Sequence, residues 1–107
     1  MSSPTDLDNR FHHRMLQIHE QAKSECNYSA SRFRNMVIDH GGLEAAKILL
    51  SSGGYSEGLT RLWEEKRLDI SMEATVLKDP WRKLFTEEEL AVATQKLEGL
   101  GYEFNGG

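Results

Sequence analysis

The apolar residues of this chain recur mainly at helical spacing, and no run alternates with the period of two that a half-buried β-strand requires. The longest pattern lies near the N-terminus, where one apolar stripe is formed by Leu7, Phe11, Met15, Ile18, Ala22 and Cys26. We expect a first helix over residues 6–26 that opens at Thr5. Asn27 is its expected stop, because asparagine tolerates a positive φ.

Shorter helices are expected to follow, separated by glycines and by residues that cap helix ends. Their expected starts, in chain order, are Ser29, Leu43, Ser56 and Ser71. The helix that begins at Ser29 ends at Gly41-Gly42, and the next one, over residues 43–50, is apolar on most sides and therefore buried. Residues 67–70 are expected to form a short extended connector.

The last third of the chain carries the clearest start signal. Thr86 and Glu89 have the spacing of a capping box, and the positions of a hydrophobic staple are held by Phe85 and Leu90. Before this helix, Asp79-Pro80 is expected to place a cap and a proline at the start of one short turn over residues 81–84.

These elements predict an all-α fold, a compact orthogonal bundle of five to six short helices that forms one domain over residues 1–107. Helices of about eight to twelve residues are unstable alone in water, so they must share a core. We expect Leu49 and Leu50 in that core, and its largest side chains to be Phe11, Phe33, Trp63, Trp81 and Phe85. A Trp63→Ala substitution is expected to cost about 3–5 kcal/mol if that ring is central.

The composition of the chain indicates the class of protein and the compartment in which we expect it. The chain has the composition of a globular domain and lacks an apolar run of the roughly 20 residues that span a bilayer, so no membrane partner is expected. Its N-terminus lacks the basic and then apolar order of a signal peptide. The single cysteine, Cys26, excludes an intrachain disulfide and suggests a reducing compartment, the cytoplasm.

Four motifs occur in order along the chain: Gly41-Gly42-Leu43-Glu44-Ala45-Ala46-Lys47 with Leu49-Leu50, Gly58-Leu59-Thr60-Arg61-Leu62-Trp63-Glu64, Arg67-Leu68-Asp69-Ile70 with Glu73, and Leu84-Phe85-Thr86 with Glu88-Glu89. Over residues 28–102 the chain resembles a widespread uncharacterised bacterial module, which occurs alone or appended to larger proteins, some of them nuclease-like. Where that module has Gly-Tyr-Asn-Pro, this chain has Asn27-Tyr28-Ser29-Ala30, which keeps the same cap and start roles. The resemblance implies one autonomous helical domain and assigns no activity, cofactor or binding residue.

Reactive side chains do not form a pattern that predicts catalysis. His12, His19 and Cys26 share one helical stripe, but steps of seven residues separate them by about 10 Å each. One zinc ion, with ligand bonds of about 2.0–2.3 Å, does not bridge that separation. The sequence also lacks a nucleophile elbow, a phosphate loop and a dinucleotide motif. We therefore expect no catalytic residue, no cofactor and no metal.

A polar set on and after the fourth helix is the candidate interaction patch: Arg61, Trp63, Glu64, Arg67, Asp69 and Glu73. Arg61 and Glu64 are i, i+3 neighbours, and Arg67 can hold a carboxylate in its guanidinium fork. In one interpretation the set is a structural network that locks the connector to the helix pair. In the other, it is a recognition patch with Trp63 partly exposed, because Trp and Arg are enriched at interface hot spots.

The formal net charge of −4 lies wholly in residues 41–107, which weighs against nucleic acid as a partner. Residues 30–50 have the layout of a helix-turn-helix, yet the helix after the turn has a core pattern rather than base-reading side chains. The candidate phosphate contacts lie on the helix before it: Arg32, Arg34 and Asn35.

The sequence favours a non-catalytic protein-interaction or adaptor module of a bacterial cytoplasmic protein. Its partner would be an unidentified protein, or a second copy bound through the stripe of the first helix. Weak nucleic-acid binding through Arg32 and Arg34 is the alternative.

Overall fold

The computed structural model of the protein describes residues 4–102, so residues 1–3 and 103–107 of the expected domain lie outside the described part. Within it the chain forms a compact bundle of six α-helices with two 3-10 helices and no β-strand, which confirms the all-α prediction. The α-helices are α1 (Pro4–Cys26), α2 (Ser31–His40), α3 (Gly42–Ser51), α4 (Glu57–Glu64), α5 (Met72–Val76) and α6 (Glu87–Gly99). The 3-10 helices are Leu68–Ile70, before α5, and Trp81–Leu84, before α6.

One hydrophobic core joins all six helices. The predicted stripe of α1 is buried from Phe11 to Cys26, and α3 lies between α1, α2 and α6. Every residue of the short α5 is buried, and this helix packs against α6. The ring of Phe11 contacts two other aromatic rings, Trp81 at a centroid distance of 5.6 Å and Phe85 at 5.5 Å.

The crossing of α1 and α3 depends on Gly42, the first residue of α3. Its backbone N–H donates to Nδ1 of His12 over 2.9 Å. A Cβ at Gly42 would stand 2.5 Å from the His12 Cα, a separation that Cβ atoms essentially never show. Glycine is therefore required here because two backbones touch, and the other glycine of the pair, Gly41, takes the positive φ of 86° that ends α2.

Most of the predicted local signals are present. Asn27 stops α1 at a φ of 54°, and the hydroxyls of Ser56 and Ser71 accept hydrogen bonds from Leu59 and Ala74 as helix caps. The capping box of α6 is complete in both directions: the Glu89 N–H donates to the Thr86 hydroxyl, and the Thr86 N–H donates to the Glu89 carboxylate.

Other helix starts were predicted wrongly. Ser29 does not cap α2, because α2 begins at Ser31 and its N-cap residue is Ala30, which makes no side-chain bond. Thr5 lies inside α1, since that helix spans Pro4–Cys26. Pro80 occupies the N-cap position of the helix Trp81–Leu84 rather than its first helical position.

The expected extended connector over residues 67–70 is wrong. The chain there closes two turns, with Ile70 N–H donating to the Arg67 carbonyl and Ser71 N–H to that of Leu68. Leu68 and Ile70 are buried on the core, and the guanidinium of Arg67 holds Asp69 two residues away.

The prediction that Trp63 is a central core residue is also wrong. The ring is 46% exposed, whereas Phe11 and Phe85 are buried and Phe33 and Trp81 pack partly buried against the core. Trp63 lies in the last turn of α4, four residues after Leu59, at the edge of the face that α4 buries through Leu59 and Leu62. Leu50 is buried and Leu49 is partly buried, as expected.

Candidate functional site

An open cleft lies between α2 and the start of α4, with a volume of about 310 Å³. Its apolar walls are four partly buried side chains from three parts of the chain: Tyr28 from the loop before α2, Phe33 and Met36 from α2, and Leu49 from α3. We call this feature the α2–α4 cleft. These apolar side chains pack against the core at their base and are left uncovered on the cleft side.

Two opposite charges stand at the rim of the cleft. A guanidinium nitrogen of Arg32 on α2 lies 3.9 Å from a carboxylate oxygen of Glu57 on α4. Their side chains are 93% and 69% exposed, so water screens the pair and it adds little to stability. The rim is therefore polar and easily rearranged above an apolar interior.

A smaller recess of about 40 Å³ adjoins the α2–α4 cleft on the side of the core. Five residues line both spaces: Tyr28, Phe33, Leu49, Ser56 and Gly58. Further in, the recess is bounded by α1, α4 and α5, and we call it the inner recess. Its volume is enough for one or two water-sized groups and too small for a whole ligand.

The residues that line the inner recess are mostly apolar, and Glu73 on α5 is the one among them with an ionisable carboxyl group. Glu73 is only 3% exposed, and burial raises the pKa of its carboxyl above the ordinary value. The donor that reaches this carboxyl is the backbone N–H of Glu73 itself. Lys96 on α6 acts on it through space, but the Lys96 ammonium donates to the carbonyls of Leu49 and Ser52 at 3.0 and 3.1 Å.

The candidate patch predicted from the sequence divides into separate parts. Arg67 holds Asp69 through Nε at 3.1 Å and reaches back to Glu25 at the end of α1 over 2.6 Å. The hydrogen bond from Arg67 lowers the pKa of Glu25, and the hydrogen bonds to Asp69 and then to Glu25 raise the pKa of Arg67. This group joins α1 to the 3-10 helix, whereas the structural interpretation expected the connector to be held to the fourth and fifth helices.

The remaining members of that patch do not join this network. Arg61 pairs with Glu65, four residues on, at 3.2 Å, rather than with Glu64, and its guanidinium lies 5.3 Å from the ring centroid of Tyr28. Glu64 is exposed, and Glu73 is buried in the inner recess. Trp63 borders a shallow depression with Leu100 and Tyr102, so a partly exposed tryptophan does occur on this surface.

The candidate phosphate contacts on α2, Arg32, Arg34 and Asn35, are all exposed. Of the histidines on α1, His12 bonds Gly42, while His19 is buried and its Nδ1 has no hydrogen-bond partner. Over residues 4–102, no three His, Cys, Asp or Glu side chains come together in a group that could hold a metal ion. Burial raises the pKa of the Cys26 thiol, which disfavours the reactive thiolate.

Sequence reasoning missed the α2–α4 cleft and assigned Glu73 to a surface network. One signal pointed to its burial: Glu73 is the only charged residue between Ile70 and Leu77. A single carboxyl in such an apolar run lies either in the core or on a narrow exposed face of the helix. Here it lies in the core, because every residue of α5 is buried.

The chain matches no protein-family model, no curated protein and no solved structure in comparisons with each. Its resemblance to the uncharacterised bacterial module therefore stays a prediction. In the described part of the chain, no helix combines the length and the apolar character needed to cross a membrane.

Proposed function

We propose that the chain is a non-catalytic protein-interaction module and that a protruding segment of a partner protein binds in the α2–α4 cleft. The observation that carries the proposal is the cleft itself, an apolar concavity of about 310 Å³ whose walls remain uncovered. Concave apolar sites with a polar rim are the usual form of binding sites in proteins. A cytoplasmic, bacterial setting is part of the same proposal.

Two surfaces could bind a partner, the cleft and the apolar stripe of α1, and the burial of the stripe favours the cleft. Phe11, Met15 and Ile18 are at most 4% exposed, because the other helices of the same chain cover them. A partner or a second copy would have to displace this core to reach the stripe. The cleft walls require no such displacement.

The size of the cleft indicates what part of a partner it accepts. Ligand pockets for whole small molecules span about 300–1,000 Å³, and this cleft is at the lower limit. One or two side chains from an extended or helical segment fill such a volume. Phe33 and Met36, one turn apart on α2, are placed to contact them.

The test compares two matched substitutions on α2. Met36→Glu puts a charge into the cleft, and Ile38→Glu puts the same charge on an exposed position outside the cleft lining. Pull-down with mass spectrometry, with and without nuclease, should identify a protein retained by wild type and Ile38→Glu and lost with Met36→Glu. Thermal melts of all three proteins check that the fold is intact.

The proposal fails if Met36→Glu retains the same proteins as wild type, or if nothing is retained above background under gentle washing. Retention that nuclease abolishes would instead favour the second candidate function.

Nucleic-acid binding is that second candidate, and the exposure of Arg32, Arg34 and Asn35 on one helix is the observation that favours it. It predicts complexes that weaken steeply with added salt, because lysine and arginine contacts release counterions from phosphates. Electrophoretic mobility shifts at low salt, with several DNA and RNA probes, should be lost in the Arg32→Glu, Arg34→Glu double variant. No shift with wild type would exclude it.

A further inference from the structure

The inner recess is lined by Glu73, whose carboxyl would not be needed to bind an apolar side chain of a partner. Glu73 is 3% exposed, and no hydrogen bond or ion pair from the side chain of another residue to its carboxyl occurs over residues 4–102. Burying a carboxyl whose donor is its own backbone N–H costs free energy, which a valine or leucine at this position would avoid. The carboxyl keeps acceptor capacity that a donor entering the recess can use.

We propose that the inner recess binds a primary ammonium group on an unbranched alkyl stem, the chemistry of a lysine side chain presented by the partner. The inference rests on the function proposed above and names the feature of the partner that the cleft recognises. In this arrangement Glu73 accepts hydrogen bonds from the ammonium, and the alkyl stem lies outward along the cleft.

The recess selects an ammonium by size and by charge. About 40 Å³ suits a compact group with its last methylene, whereas the planar guanidinium of an arginine is wider. An anion would be repelled by the Glu73 carboxylate, and a purely apolar tip would add no hydrogen bond to the one from the Glu73 backbone N–H. Among cationic side chains, the ammonium is the one that concentrates its charge and three donors in a small volume.

The walls of the cleft suit an alkyl stem. Tyr28, Phe33 and Leu49 line both the cleft and the recess, so a chain of methylenes reaching Glu73 would pass between apolar surfaces along its length. Faces of aromatic rings also attract a cation that passes them.

Charges near the site leave Glu73 available. Arg61, above the ring of Tyr28, pairs with Glu65, and Arg32 at the rim lies beside Glu57. Lys96 is the cation that acts on Glu73 through space, but its ammonium is already bound by two backbone carbonyls. An incoming ammonium therefore does not have to displace an existing ion pair.

Amide NMR titration of the full chain tests the inference with simple probes. n-Pentylamine should bind saturably and shift the backbone amides that border the recess, those of Leu59, Met72 and Glu73. 1-Pentanol, which has the same stem without the charge, should bind at least tenfold more weakly. In Glu73→Gln this preference should disappear, while Glu44→Gln, which removes an exposed carboxylate on α3, should keep it.

Equal binding of the amine and the alcohol would overturn the inference, as would an unchanged preference in Glu73→Gln or shifts confined to residues outside the recess. No saturable binding of the amine at all would overturn it as well. The interaction function is judged separately, by whether Met36→Glu loses a partner that Ile38→Glu retains. Its failure and the failure of the lysine inference are therefore distinguishable.

Discussion

Gly42→Ala is expected to be among the most destabilising small substitutions in this protein. The new methyl group would stand 2.5 Å from the Cα and 3.2 Å from the N of His12, which are backbone atoms of α1. A rotamer change does not move them, so α1 and α3 must separate. Separation also stretches the 2.9 Å hydrogen bond from the Gly42 N–H to His12.

The magnitude follows from three contributions. Forcing extra volume into a well-packed contact costs about 1–3 kcal/mol, and leaving a buried N–H without its acceptor costs about 1–3 kcal/mol. Replacing glycine by alanine also lowers the conformational entropy of the unfolded chain, which stabilises the protein by at most about 1 kcal/mol. The net expectation is a loss of about 1–6 kcal/mol, a large part of the roughly 5–15 kcal/mol that stabilises a domain.

Urea denaturation at 25 °C and pH 7 measures this loss, with Gly58→Ala as the matched control. Gly58 is also near a helix start, and a Cβ there would meet no atom within 4 Å, so the control should gain about 0.4–1 kcal/mol. His12→Ala should not rescue Gly42→Ala, because the clash is with backbone. A Gly42→Ala protein within about 0.5 kcal/mol of wild type, the scale of ordinary surface substitutions, would refute the reasoning.

Three further predictions concern the pH dependence of Glu73, the cap of α6, and the aromatic rings of Phe11 and Trp63. Because burial raises the pKa of Glu73 above its value in the unfolded chain, stability is lost as pH rises through the unfolded and then the native pKa. Glu73→Gln should therefore raise the free energy of unfolding at pH 7 and have much less effect near pH 3; urea denaturation that gives the same difference at both pH values would contradict this. Thr86→Ala removes the acceptor of the Glu89 N–H and should lower the free energy of unfolding by about 1 kcal/mol. The control is Thr94→Ala inside the same helix, which should cost less in the same assay because the Thr94 hydroxyl only donates to the Leu90 carbonyl. Phe11→Ala should lower the free energy of unfolding by about 3–5 kcal/mol, since Phe11 has no exposed surface. Trp63→Ala should cost less than half as much in thermal or urea melts, because its ring is 46% exposed. Equal losses would show that Trp63 is a core residue after all.

The structure also explains which kinds of prediction failed. The connector over residues 67–70 was taken as extended because four residues carry no usable periodicity. Its turns are set by the burial of Leu68 and Ile70 and by the reach of Arg67 to Glu25, 42 residues earlier. Trp63 was expected inside because of its size, but it lies at the edge of the buried face of α4, four residues after Leu59, and the core covers only part of its ring.

The sequence by itself determined what depends on neighbours within about one helical turn. The stripe of α1 and the capping box of Thr86 and Glu89 follow from contacts three or four residues apart, whose geometry the helix fixes in advance. The stop at Asn27 follows from the tolerance of asparagine for a positive φ. Tertiary structure decided the rest: the contact of Gly42 with His12, the α2–α4 cleft, and the burial of Glu73. Each of these depends on how separate helices approach one another, and that approach is set by the packing of the whole core rather than by any local run of residues.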